Sequence, residues 1–252
     1  MLLPLTNRGY TKAPITEAVI DVRVELPATT AIVDLMNSHS GEELAYPVVE
    51  QISSMMGQMT FNPQETPAPQ MSASAQPMGY MFRGTDGKQA YQARIDGFTL
   101  SRFAPYLGWD NFCAEAQRLW NIYRIVAQPS KIVRVAVRYI NRIDIPLPID
   151  DFGDYFKTVP QVASDLPQGL SGYFMQLTIP INEIKSIAII NEAIIQPARP
   201  EVVSIVLDID VFRVFDLPVD EPEIWAIFED LHTAKNNAFE ACITDKAREL
   251  FQ

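Results

Sequence analysis

The sequence predicts an α+β fold: two tandem β-α-β-β-β-α units, with antiparallel sheet or sheets backed on one side by two long helices. Three observations carry this. Lys131–Ile145, KIVRVAVRYINRIDI, alternates apolar and polar residues over a length that only a long strand explains. Asp86-Gly87 and Asp96-Gly97 divide an alternating stretch into a three-stranded meander, since tight hairpin turns need positive φ. Trp109–Ala127 and Pro222–Phe251 have helical apolar spacing, and each follows a group of strand segments.

Taken in order, Ala13–Leu26 reads as the first strand, with Ile20, Val22, Val24 and Leu26 inward, and Pro27 ends it. Thr29–Met36 and Leu44–Met59 have helical spacing, the second interrupted by Pro47. Thr60–Met78, rich in Pro, Gln, Ser and Ala, reads as a long mobile loop that could fold over a site. In the meander, two-residue turns pair Thr85 with Lys88 and Ile95 with Phe98. That register puts Tyr80, Phe82, Tyr91, Ala93, Ile95, Phe98 and Leu100 on one face, with Arg83 and Arg94 on the other.

Trp109, Phe112, Ala116, Leu119, Trp120 and Tyr123 form the apolar stripe of the first long helix. In the strand that follows, Val133, Val135, Val137, Tyr139, Ile143 and Ile145 face the core, opposite Arg134, Arg138 and Arg142. Asn141 shares the core parity and needs a buried partner. Asp150–Thr158 reads as a short helix, Leu170–Pro180, Ile184–Gln196 and Glu201–Phe215 as strands, and the last helix breaks near Thr244.

The two halves thus follow one order of elements, divided as 1–130 and 131–252, either two units or one fused domain. Gly79-Tyr80-Met81-Phe82 is echoed by Gly172-Tyr173-Phe174-Met175, and Trp109 with Phe112 by Trp225 with Phe228. Over nearly its whole length the chain also resembles a sporadically distributed bacterial protein family. The resemblance rests on Ala13-Pro14-Ile15-Thr16-Glu17-Ala18, Trp109, Arg138-Tyr139-Ile140-Asn141-Arg142-Ile143, Phe239-Glu240 and Ile243-Thr244-Asp245. It implies the duplicated architecture and brings no activity with it.

Composition narrows function. The 252 residues are 48% hydrophobic and carry a net charge of −11, which disfavours general nucleic-acid binding. No apolar run reaches membrane-span length and the start lacks a signal-peptide pattern, so the expected location is the cytoplasm. Charge is uneven: residues 83–142 hold ten Lys/Arg against four Asp/Glu, and residues 143–252 hold seven against nineteen. Cys113 and Cys242 each fall within helical spacing and read as reduced, buried thiols. The two histidines, His39 and His232, lack companions at ligand spacing, and His232 reads as part of a solvated helix face. No phosphate-loop, dinucleotide or serine-hydrolase motif occurs, and no cofactor is expected.

The remaining chemistry lies in the arginines. Arg83, Arg94, Arg134, Arg138 and Arg142 fall on non-core strand faces, where guanidiniums can hold carboxylate or phosphate groups. Their ordinary role there is cross-strand pairing with Asp21, Glu25, Asp208 and Asp210. The leading expectation is a non-enzymatic module that binds an anionic small molecule or a protein partner across an open sheet face. An immunity or antitoxin-like protein is a variant of it, and a self-associating subunit that buries this face in a homodimer is a third, structural option. The alternative is a metal-dependent hydrolase or nuclease in which Asp144, Asp208 and Asp210 hold a magnesium ion.

Overall fold

Residues 9–60, 70–215 and 221–252 are described by a computed structural model, in which they form nine strands and a few helices. The order is β1 (Ile15–Glu25), a 3₁₀ turn over Ile32–His39, β2 (Val48–Thr60), β3 (Gln70–Arg83), β4 (Gln89–Arg94), β5 (Gly97–Phe103) and α1 (Trp109–Ala127). Then come β6 (Lys131–Pro146), a 3₁₀ turn over Phe152–Asp154, β7 (Phe174–Ile181), β8 (Ser186–Ile195), β9 (Val202–Val214), α2 (Glu221–Cys242) and α3 (Asp245–Glu249). All nine strands form one antiparallel sheet, ordered β2-β3-β4-β5-β1-β6-β9-β8-β7. The residue 130/131 division falls inside that sheet, because β1 pairs directly with β6.

Two expectations before the meander are overturned. Leu44–Met59 is not helical, and Gln70–Met78 is not loop: Val48 to Thr60 pairs with Arg83 to Gln70 in a long hairpin, with one register shift between Ile52 and Ser53. The Met/Gln/Ser/Ala composition carries no clear period-two pattern, so the strand state rests on backbone hydrogen bonds that sequence periodicity does not report. The part of the expected loop at residues 61–69 lies outside the described residues.

The meander forms, with one adjustment. Arg83 pairs with Ala90, as the Asp86-Gly87 turn requires, but the second hairpin closes on Arg94 and Gly97 around Ile95-Asp96. This slips the expected register by two residues, which keeps every side chain on its expected face. Gly97 is needed for packing as well as turning: at φ +151°, a Cβ there would lie 2.1 Å from the Val22 carbonyl of β1. Ala in its place would push β5 off β1.

On the core face, Ile20 and Val22 of β1, Phe98 and Leu100 of β5, Val137 and Tyr139 of β6, and Ile205 and Leu207 of β9 join one buried cluster. Trp120 and Tyr123 of α1 meet Phe98 at ring-centroid distances of 6.1 and 6.0 Å. Helix α2 lies against β6 and β9. One inward assignment fails: a register shift at Arg23/Val24 takes Val133 out of the β1–β6 pairing and turns Ile132 into the core instead. Asn141 finds its buried partners, donating through Nδ2 to the carbonyls of Leu207 at 3.0 Å and Tyr139 at 3.3 Å. The expected break after α2 is a cap: Thr244 is extended and its Oγ1 accepts from the Ala247 amide. Among the described residues, no helix is long and apolar enough to cross a membrane.

Candidate functional site

The polar face of the sheet is built by parity. With Ile20 and Val22 inward on β1, Asp21 and Arg23 must point outward. The pairing Asp21↔Thr99 and Asp21↔Ala136 then sets Asp21 between β5 and β6. Arg94 of β4 and Arg134 of β6 converge on it, at 3.4 and 3.2 Å, and Thr99 donates its hydroxyl to Asp21 Oδ1 at 2.6 Å. Arg23 also contacts Asp21, through Nε at 2.9 Å. Asp21 and Arg94 are only 7% and 8% exposed, so this is a largely desolvated knot whose charges compensate one another.

The row continues across β6 and β9. Arg134 bridges to Asp210 at 2.8 Å and lies 4.4 Å from the centroid of Phe212. Arg138 grips Asp208 with two parallel bonds of 2.7 Å, and Asn191 donates to the same carboxylate at 3.1 Å. This pairing holds the Arg138 guanidinium above its usual pKa, chiefly through the hydrogen bonds to Asp208. Asp210 is moved the other way from a free surface acid: burial pushes its carboxyl up, against the pull of Arg134 and Arg138.

The five arginines do not make one site. Arg94, Arg134 and Arg138 line a shallow open cavity of about 560 Å³ with Asp21, Arg23 and Asp210. Arg142 belongs to a separate knot, bonded to Asp144 at 3.0 Å, to Ser204 at 2.9 Å and to the Gln196 carbonyl at 3.2 Å. Arg83 pairs with Glu50 on the outer hairpin, four strands from β6 and so about 19 Å away in the sheet. The expected partners Asp21, Asp208 and Asp210 are all engaged, whereas Glu25 pairs with Lys131 instead. Asp144, Asp208 and Asp210 are each bound to a different arginine. Among the described residues, no group of three His, Cys, Asp or Glu side chains is placed to hold a metal ion.

A second locus, absent from the sequence expectations, lies on the core side. His232 is not on a solvated face: its ring stacks on Trp109 at 4.1 Å with a 6° interplanar angle. Burial, with some help from Lys235, holds its pKa down at about 3. Lys235 is 5% exposed, with Nζ 3.5 Å from the centroid of the Tyr139 ring and 2.6 Å from Asn236 Oδ1. Both side chains line a cavity of about 340 Å³ between α2, the segment before β1 and the residues leading into α1. The missed signal was legible: Ile224, Phe228, Leu231, Lys235 and Phe239 occur at steps of four, three, four and four, which places the lysine on the helix's buried stripe.

Burial also raises the thiols of Cys113 and Cys242 to about 11, so neither is an activated nucleophile. No family model matches the chain, and no curated protein matches it.

Proposed function

We propose that the protein is a non-enzymatic binding module that docks a protein partner across the polar face of its sheet. The observation that carries this reading is the mixed surface beside the ion-pair row. Val206, Phe212, Ile189 and Ile140 share that face and are all partly exposed, and Phe174 of β7 is 70% exposed. Arginine interleaved with apolar and aromatic side chains is the composition of protein–protein interface cores. A site for a free anion would need uncompensated cations, yet Arg94, Arg134 and Arg138 already face Asp21, Asp208 and Asp210. A partner surface with its own charges can exchange pairs with this row.

Two features of the fold support such a surface. The contacts of α1 with Phe98 and of α2 with β6 and β9 fit a sheet backed on one side by its long helices, with the arginine face left open. The strand order also reads as two matched sets, β1 next to β5-β4-β3 and β6 next to β9-β8-β7, as a duplicated unit joined through β1 and β6 would give. A second copy of the chain is one partner this surface could take.

Size-exclusion chromatography with light scattering, followed by affinity capture from the source cells, tests the reading. Val206→Asp and Phe212→Asp, substitutions on this face, are expected to abolish dimerisation or the captured partner, while Leu44→Asp on an exposed site elsewhere leaves it intact. A partner captured equally by all three variants overturns the assignment to this face.

A further inference from the structure

The core-side cavity contains a cation that no acid among the described residues pairs. The Lys235 ammonium has three N–H donors; one reaches Asn236 Oδ1 and the Tyr139 ring lies beneath the group. Within the described residues no carboxylate lies within ion-pairing distance of it. Glu240 is the one acid among the described residues lining the cavity, and it is already engaged, accepting from the Tyr10 hydroxyl at 2.6 Å and from Arg248 at 2.8 Å. The other walls are apolar or neutral: Ile15, Trp109 and Phe239 on one hand, Asn141 and Asn236 on the other. A buried ammonium with no acid among the described residues within ion-pairing distance is expensive to maintain, and an arriving anion removes that cost.

We propose that this cavity binds a small organic monocarboxylate with an apolar body. Its carboxylate pairs with Lys235 and its body packs between Trp109 and Phe239. Three features select the class. The volume, about 340 Å³, is at the small end for ligand pockets. One cation matches one negative charge, whereas a dianion such as a phosphate monoester would keep a second charge unpaired among apolar and neutral walls. Aromatic walls favour a body larger than a methyl group.

Protonation follows from the same geometry. Burial lowers Lys235 to about 7, so above neutrality the free pocket holds an amine, and an anion must bring a proton in with it. The histidine and the phenols facing the cavity do not change charge there. His232 on α2 is neutral, with its pKa at about 3. Burial raises the phenols of Tyr10, Tyr106 and Tyr139, which stay protonated. Glu240 keeps its contacts with Tyr10 and Arg248.

The experiment is calorimetric titration of the full chain with acetate, benzoate and phenylacetate at constant ionic strength from pH 6 to 8.5. Benzoate and phenylacetate are expected to bind at least about tenfold more tightly than acetate. Their affinity should fall toward about tenfold per pH unit above 7, with close to one proton taken up at pH 8, read from buffers of different ionisation heat. Lys235→Met should lose at least tenfold in affinity. Absence of binding by both aromatic carboxylates, or equal affinity in folded K235M, overturns the proposal. If K235M does not fold, the wild-type measurement decides: uptake near one proton at pH 8 supports the site, and uptake near zero overturns it.

Discussion

The two faces of the central sheet treat buried charge in opposite ways. On the polar face, Arg94 is nearly as buried as Lys235, yet it meets Asp21, Asp96 and Thr99, and Arg134 carries the same chain of contacts on to Asp210. On the core face, Lys235 has an amide oxygen and an aromatic ring but, among the described residues, no acid. Parity explains the difference. Strand alternation sets acids and bases on one face, on the adjacent strands β1, β6 and β9 and, across β5, on β4, so partners come with the register. A lysine on the buried stripe of a helix meets whatever the core offers, and here the core offers Tyr139. Compensated charge reads as architecture, and uncompensated charge reads as a place for something to bind.

Breaking the compensated side should have the largest effect. Asp21→Ala removes the acid shared by Arg23, Arg94 and Arg134 and leaves Arg94 largely buried with Asp96 alone. Removing one partner of a buried pair costs about 3–5 kcal/mol, and urea unfolding of this variant should show about 4 kcal/mol lost. Lys235→Met is expected to act in the opposite direction. The folded pKa of Lys235, about 7, lies below the unfolded value, so the unfolded chain binds the extra proton and stability rises with pH through that window. The wild type should gain up to about 1.4 kcal/mol per pH unit between about pH 7 and 8.5. Above that, Cys113 and Cys242, raised to about 11, work against the trend. Lys235→Met should be more stable than wild type at pH 7 by about 3 kcal/mol and should lack the rise, as unfolding curves across this range will show.

How much of this was legible in the sequence depends on whether the signal was local. Ile20, Val22, Phe98 and Tyr139 announced their face by alternation, and Trp120 and Tyr123 by helical spacing, because burial selects apolar residues at the period of the element. The polar row was legible for the same reason, down to its partners Asp21, Asp208 and Asp210. The β2–β3 hairpin was not. Its Met, Ser, Gln and Ala residues lack a repeating preference, and the pairing Val48↔Arg83 is fixed by contacts distant in sequence. The bulge at Val133 escaped as well, since only the partner strand reveals a register shift. His232 was misplaced for a different reason: a titratable residue was assigned to solvent even where its helical phase pointed inward.

Histidine gives a smaller, cleaner test of the uncompensated side. His232 lies at about pH 3 in the folded protein, below its unfolded value of about 6.5, so it is neutral when folded across the acid range. Stability is therefore full above about pH 6.5 and falls as pH drops toward 3, because the unfolded chain takes the proton that the stacked ring refuses. The ring is partly exposed, so about 2 kcal/mol of this loss is expected. His232→Phe keeps the stack on Trp109 and should flatten the decline in urea unfolding between pH 6.5 and 4. An unchanged slope would mean that the ring protonates in place and that the Lys235 cavity is wetter than its walls suggest.

The smallest effect belongs to the exposed end of the polar row, and it sharpens the comparison there. The Arg138 side chain is 46% exposed although its two bonds to Asp208 are short, and Asp208 keeps the Asn191 amide as a second donor. Water therefore takes over much of what the guanidinium supplies, and Arg138→Ala should cost about 1 kcal/mol, near the upper end for solvent-exposed pairs. A double-mutant cycle with Asp208→Asn isolates the pair itself. A coupling below about 1 kcal/mol places Arg138 at the exchangeable edge of the row, where a partner can compete for it. A coupling as large as that of Asp21 with Arg94 would extend the closed knot to the whole face and leave no arginine there for a partner to claim.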